Sequence, residues 1–313
     1  YNKLEPKRKI MSKAISYNEV KIIDRETVKF GDPIFDNYIS DAGGIELGTM
    51  IALSGTSGAG KTTLCKKWQK DLKPGEKSLF FALESLKGSV ARQTKRIKTG
   101  DDELICDVTD FPTWSGFMKY LYESKPLMVA VDSLQHAAKL LSKENGKYKY
   151  ANYQEIVKDL YTWKDETQGI VILIVQLNGE GKMEGPESTV FDVDCPIKIT
   201  ANPKTGERFM ETEKNRMGPV GKIFYEFVET DDCIKFYTVD QWEVMKKGAT
   251  IISMVQNTVE SFTQVYKDHD NYKAFKKELV KEYNKIYNAS PTDTALILTQ
   301  TILLIDRLSK EYF

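Results

Sequence analysis

Cysteine is scarce in this chain. Four cysteines (Cys65, Cys106, Cys195 and Cys233) are scattered over 313 residues without paired spacing. That excludes a readable zinc site or disulfide framework and fits reduced thiols in a cytoplasmic protein. Long apolar runs are also missing. No stretch is long enough to span a bilayer and no secretory signal is readable, so no membrane partner is expected. Charge of one sign is lacking too. The 45 basic side chains balance 45 acidic ones, so any nucleic-acid contact must be a local patch rather than a global field. Internal repeats and low-complexity tracts are absent. The sequence opens on Tyr1 rather than Met, as a processed or excised piece would, or as it would with a true start near Met11.

What is present is an ordinary globular composition, 41% hydrophobic and 29% charged. The length suggests one large domain plus an appendix. Short apolar runs (MIALS at 50–54, LFFAL at 79–83, LMVAVD at 127–132, GIVILIVQL at 169–177) alternate with stretches of helical spacing at 62–72 and 153–167. This alternation predicts an α/β fold with a mainly parallel central sheet covered by helices on both faces. After Cys195 the pattern changes. PIKIT, ANPKTGE and RFMETEK read as strand, turn and strand, and KIFYEFVE and CIKFYTV continue the sheet. From about Glu243 the pattern is helical. Ser290-Pro291-Thr292-Asp293 reads as a capping box opening a strongly apolar last helix. That helix is expected to pack on its own core or a neighbour. The expected division is a basic arm over 1–29, a core over 30–242 and a helical appendix over 243–313.

The sharpest local signal is GTSGAGKTT: Gly55, Thr56, Ser57, Gly58, Ala59, Gly60, Lys61, Thr62 and Thr63. It fits G-x-x-x-x-G-K-[ST] between a strand and a helix, the context such a loop requires. Bare glycines let backbone N–H groups approach phosphate oxygens, and the helix adds its positive end. Lys61 is predicted to reach the β- and γ-phosphates of ATP, and the Thr62 hydroxyl to join a Mg²⁺ shell. Three strand ends offer further groups. Asp132 ends LMVAVD and is the candidate second Mg²⁺ group, although a strand-end aspartate also caps loops. Glu84 follows LFFAL and is the candidate base for the attacking water, the plainer reading being a helix-starting glutamate. Gln176 ends GIVILIVQ, where an amide could sense the γ-phosphate. His136, Trp68, Phe81 and Cys65 are read as structural.

Taken in order, these segments carry a family resemblance. From about Phe30 to Thr238 the chain resembles the RecA-fold ATPase core of the bacterial RadA/Sms proteins, with kinship to DnaB-type replicative helicases. The carriers are FDNYISDAGGIELGTMIALSGTSGAGKTT, LFFALES, LMVAVDSLQ, VQLNGEGKMEGP and KNRMGPVG at 214–221. The resemblance implies a RecA-like P-loop NTPase fold, catalysis by Glu84, a metal role for Asp132 and a sensor role for Gln176. It also implies that Lys214 and Arg216 reach into a neighbouring subunit's nucleotide site. A cation supplied there stabilises charge developing on the transferring phosphoryl group. Assembly as a ring, a hexamer, is therefore expected. Without the resemblance, this element reads as a solvated basic turn.

DNA, single-stranded, is the expected partner. Two loops are candidates for the grip. In LSKENGKYKYANY (141–153), Lys143, Lys147 and Lys149 alternate with Tyr148, Tyr150 and Tyr153, and cations interleaved with rings suit single strands. In NGEGKMEGPEST (178–189), Lys182 and the glycines favour phosphate contact while Glu180, Glu184 and Glu187 oppose it. The departures from the family are as informative. RadA proteins carry a cysteine-rich zinc module ahead of the core and a Lon-protease-like domain behind it, and DnaB helicases carry an N-terminal helical collar. None of these is expected here, so a branch-migration or fork-unwinding role does not carry over. Two alternatives to a DNA motor stay open: a KaiC-like ATPase switch that ignores DNA, and a strand-exchange filament protein.

Overall fold

A computed structural model describes residues 26–93, 95, 97, 100–147, 149–178, 180–182, 192–228, 234–246, 269–289 and 294–313. The strands β1 (Thr27–Val28) and β2 (Ile45–Glu46) form a small antiparallel pair on either side of α1 (Pro33–Ile39). Asp32 caps α1 by accepting from the N–H groups of Ile34 and Phe35, with Pro33 at its first turn. The main sheet then begins with β3 (Met50–Gly55), followed by α2 (Lys61–Lys70), β4 (Ser78–Ala82), α3 (Lys87–Gln93) and β5 (Glu103–Asp107). Next come α4 (Trp114–Ser124), β6 (Met128–Asp132), α5 (Leu134–Asn145), α6 (Lys149–Thr167) and β7 (Ile170–Gln176). The sheet closes with β8 (Cys195–Ala201), β9 (Arg208–Thr212), β10 (Gly221–Phe227) and β11 (Ile234–Tyr237). Two long helices, α7 (Tyr272–Ala289) and α8 (Thr294–Tyr312), follow.

The nine-stranded order is β11-β10-β9-β8-β3-β7-β6-β4-β5. From β8 to β5 neighbours are parallel, and β9, β10 and β11 add an antiparallel edge. The central strands are apolar on both sides because both sides are covered. In β7, Ile170, Ile172 and Ile174 enter the core that holds Trp68 and Phe35. Val171, Leu173 and Val175 enter the opposite core with Phe117, Leu160 and Trp163. Strand periodicity thus divides one run between two cores, each fully buried aliphatic side chain contributing about 1.5–3 kcal/mol.

The last two helices pair with each other through Phe275, Leu279, Leu304, Ile305 and Leu308, a small core of their own. Among the described residues, the opposite side of α8 leaves Leu296, Ile302 and Leu303 exposed. The Ser290–Asp293 capping box lies outside the described residues. Among the described residues no helix is long and apolar enough to cross a membrane.

The segment 141–153 differs from its expected form. It is not a free loop: α5 runs to Asn145, Gly146 turns the chain in the left-handed region at φ 67°, and α6 starts at Lys149. Tyr153 is fully buried among Leu160, Trp163 and their neighbours, so it cannot stack on a base. Its ring falls on the helix face toward the sheet, which alternation with lysines concealed.

Candidate nucleotide site

The glycine loop hangs from the carboxyl end of β3. A Cβ on Gly55 would lie 2.7 Å from the Ile199 carbonyl, so the close strand contact demands glycine. Gly60 sits at φ 108°, and a Cβ there would meet the Phe227 ring at 2.6 Å. Tyr225 braces the loop from beneath, its buried hydroxyl donating to the Ala59 carbonyl at 2.9 Å. Lys61 opens α2. Its Nζ donates to the Gly55 and Thr56 carbonyls at 2.7 and 2.8 Å. Burial lowers its pKa, while Asp132 and Glu84 pull the other way.

Sheet order brings the predicted strand-end groups to this lysine. β7 lies between β3 and β6, and β4 lies beyond β6. Gly55 pairs in register with Gln176, and Asp132 with Ala82. The carboxyl ends of four adjacent parallel strands, spaced about 4.8 Å apart, therefore share one crevice. Thr62 donates its hydroxyl hydrogen to Asp132 Oδ2 at 2.9 Å. Burial pushes the Asp132 carboxyl up to about 6, Glu84 pushes the same way, and Thr62 and Lys61 oppose. The N–H groups of Leu83 and Glu84 both donate to the Asp132 carbonyl, at 2.7 and 3.2 Å. The Gln176 side-chain amide donates to the Glu84 carboxylate. Downstream of Glu84 the chain is fixed by Asp107, which accepts from the Lys87 N–H at 2.9 Å. The Asp132–Ser133 peptide is cis. Ser57, Gly58, Thr63 and Ser85 complete a cleft of about 490 Å³ around these groups.

Three contributors escape the sequence. Gln135, on the first turn of α5, is buried and clamps the main chain of Gln176: its Nε2 donates to the Gln176 carbonyl at 2.9 Å and its Oε1 accepts the Gln176 N–H at 3.1 Å. Arg208 and Phe227 line the cleft itself, with the guanidinium 5.2 Å from the ring centroid. Arg208 Nε is buried without a protein partner. In sequence Gln135 is one polar residue in a helix, and Arg208 and Phe227 reach the cleft only because β9 turns back antiparallel along β8 and β10 returns antiparallel along β9.

The donor set suits a hard cation and a phosphate chain. A carboxylate and a hydroxyl, both oxygen donors, match a Mg²⁺ ion that takes its remaining ligands from phosphates and water. Among the described residues no cluster of three His, Cys, Asp or Glu side chains could hold a metal by itself.

Lys214 and Arg216 are elsewhere. Arg216 donates its backbone N–H to the Asp194 carbonyl at 3.1 Å, and its Nη1 lies 3.4 Å from Asp194 Oδ1. Asp194 in turn binds Met50, at the amino end of β3. Lys214 Nζ donates to the Val193 carbonyl at 3.4 Å. The five steps of β3 separate this turn from the chain's own glycine loop by roughly 17 Å. The turn is rigid. Asn215 Nδ2 donates to the Ile39 and Pro219 carbonyls, each at 3.0 Å, and Thr49 donates to the Met217 sulfur at 3.1 Å. A Cβ on Gly218 would lie 2.7 Å from the Asp41 nitrogen.

The candidate DNA residues are partly paired off. Lys143 is exposed in the last turn of α5. Lys147 lies 3.1 Å from Glu155, and Lys182 lies 3.3 Å from Glu180 in a turn capped by Asn178. Lys149 begins α6. Tyr148, and the loop from 183 to 191, lie outside the described residues.

Strand order, glycine loop and strand-end groups together define a RecA-like fold of the P-loop NTPase type. Comparison with known proteins agrees on the fold. No family model matches the chain. It is similar to the DNA repair protein RadA of Haemophilus influenzae, 25% identical over 211 residues, covering 64% of this chain and 43% of that protein. The Escherichia coli DNA repair protein RadA is 23% identical over 216 residues, covering 68% of this chain and 45% of that protein. The chain thus spans about half the length of the curated relatives it matches. A crystal structure of a KaiC-like protein from Pyrococcus horikoshii shares the fold. Its TM-score is 0.55 at 23% identity, covering 68% of this chain and all of that one.

Proposed function

We propose that this chain is an ATP-hydrolysing motor that acts on single-stranded DNA as a ring, a hexamer, with Lys214 and Arg216 of one copy completing the site of the next. The observation that carries the reading is the convergence of Lys61, Thr62, Asp132, Glu84 and Gln176 on one cleft. Backbone N–H groups of the glycine loop and the start of α2 receive the phosphates. Lys61 exchanges its carbonyl partners for the β- and γ-phosphate oxygens. Thr62 and Asp132 hold Mg²⁺, which when bound neutralises phosphate charge. Glu84 takes a proton from the attacking water while Gln176, bonded to Glu84, fixes its direction. Phe227 and Arg208 wall the cleft beside Gly60, a face suited to the base.

The trans role is supported by distance: Arg216 is too far from its own glycine loop to serve it. The DNA role is supported by the similarity to RadA, a DNA repair protein. Lys143, Lys147, Tyr148, Lys149 and Lys182 are its candidate contacts.

A second reading, an ATPase switch indifferent to DNA, is favoured by the acidic partners of Lys147 and Lys182 and by the zero net charge. Steady-state hydrolysis with and without single-stranded DNA, on wild type and Arg216→Ala, separates the two. The motor predicts severalfold stimulation by DNA that Arg216→Ala loses while still binding nucleotide. Hydrolysis that ignores DNA across a range of salt would sink the motor and leave the switch.

A further inference from the structure

At the amino end of β3 one carboxylate gathers several partners. Asp194, just before β8, is 9% exposed. Its Oδ2 accepts the Met50 N–H at 2.9 Å and lies 3.4 Å from Lys164 Nζ. Its Oδ1 faces Arg216 Nη1 at 3.4 Å. The Asp194 main chain is fixed as well, its N–H donating to the Met50 carbonyl at 3.0 Å and its carbonyl accepting from Arg216.

Lys164, from the last turns of α6, is itself buried. Its ammonium donates to the Gly48 carbonyl at 2.9 Å and to Asp165 at 3.0 Å, and sits 3.8 Å from the Tyr161 ring centroid. Burying a lysine is costly unless it is paired, and a buried ion pair adds little net stability. Such pairs are better suited to fixing geometry. Here one carboxylate oxygen is spent on two fixed partners, and the other is offered to an arginine side chain that is 50% exposed.

We propose that Asp194, held by Lys164 and the Met50 N–H, is a positioning residue that aims the Arg216 guanidinium at the nucleotide of a neighbouring copy. This rests on the reading of Arg216 as a cation supplied in trans. A long arginine side chain samples many rotamers, and an untethered one loses them when it meets a phosphoryl group. The tether restricts that freedom before the encounter. Its 3.4 Å separation, on an exposed side chain, is loose enough to be exchanged for phosphate oxygens.

The test is ATP turnover by wild type, Arg216→Ala and Asp194→Asn at concentrations where the assembly forms, alone and in equimolar mixtures with Lys61→Ala. Asp194→Asn is expected to lower kcat by about 10- to 100-fold with KM for ATP unchanged, because misplacing a reacting group costs that much while its own cleft is intact. Lys61→Ala subunits have a dead cleft but a properly held Arg216. Mixing them in should restore part of the turnover of Asp194→Asn, as it should for Arg216→Ala. A merely structural defect would raise KM and resist rescue, and that result overturns the proposal. If Asp194→Asn fails to fold, the double variant Asp194→Asn/Lys164→Met removes both buried charges together and should show the same rescuable loss. Wild-type kcat in the Asp194 variant, with Arg216→Ala impaired, sinks the tether alone. Wild-type kcat in Arg216→Ala sinks the trans reading and the tether with it.

Discussion

The two ends of one sheet are built on different plans. At the carboxyl ends of β3, β7, β6 and β4 the polar side chains face one another: Thr62 bonds Asp132, Gln176 bonds Glu84, and Lys61 folds onto the loop that carries it. At the amino ends Asp194 and Lys164 are buried and paired, but the Arg216 side chain that Asp194 meets is half-exposed. The first end is a cleft on which several polar groups converge. The second is a scaffold around one carboxylate that leaves an arginine side chain half-exposed. Parallel strands create the asymmetry, because every carboxyl end opens on the same side and every amino end on the other.

The largest effect that would sharpen the contrast is at the cleft. Lys61→Ala should lower hydrolysis by about 10²- to 10³-fold, as removal of one donor to a developing oxyanion does. Phosphate release measured on a uniform assembly of the variant checks this. Retained turnover would take Lys61 out of the chemistry and weaken the division between the two ends.

A second, smaller effect concerns stability. Asp132 has its pKa raised from the ordinary 3.8 to about 6, chiefly by burial. Below pH 3.8 folded and unfolded chains both carry it neutral, so it costs nothing. As pH rises toward 6 the unfolded state ionises first, and above 6 the folded state must bury a charge. In the absence of Mg²⁺, wild type should therefore lose stability across this window. Asp132→Asn should be the more stable protein at pH 8 by up to about 3 kcal/mol, the advantage fading toward pH 4. Denaturant melts of both proteins from pH 4 to 8 measure it. A pH-independent difference would remove burial of the charge as the cause.

The smallest effect expected is on Gln135, whose side chain fixes Gln176 without lining the cleft. Gln135→Leu should lower kcat about tenfold with KM for ATP unchanged, since it loosens the group that directs the water rather than the groups that hold phosphates. Gln135→Glu keeps the acceptor for the Gln176 N–H and should fall between. A raised KM with normal kcat would show that Gln135 supports binding instead.

Much of the cleft was legible in the sequence because its groups fall at ends. Asp132, Glu84 and Gln176 each close an apolar run, and the glycine loop carries its own spacing. Strand ends are readable where hydrophobic periodicity stops. Gln135 was not legible, because a polar residue in the first turn of a helix looks solvent-exposed until a neighbouring strand is laid against it. Arg208 and Phe227 were hidden for a similar reason: they belong to an antiparallel edge whose register no motif announces. The segment 141–153 misled, because alternating lysine and tyrosine suggested a polar loop where two helix ends carry Tyr153 into the core.

The sequence by itself determined the run of strands and helices, the phosphate-binding loop and the acidic and amide groups that follow it. Each is a local pattern, fixed by side-chain periodicity and by glycine's tolerance of positive φ. Only the tertiary structure decided that KNRMG lies at the opposite end of the sheet from its own loop, that Asp194 and Lys164 hold Arg216 there, and that Gln135 clamps Gln176. Those relations depend on strand order and register, which are set by packing two cores against both faces of the sheet and by no spacing along the chain.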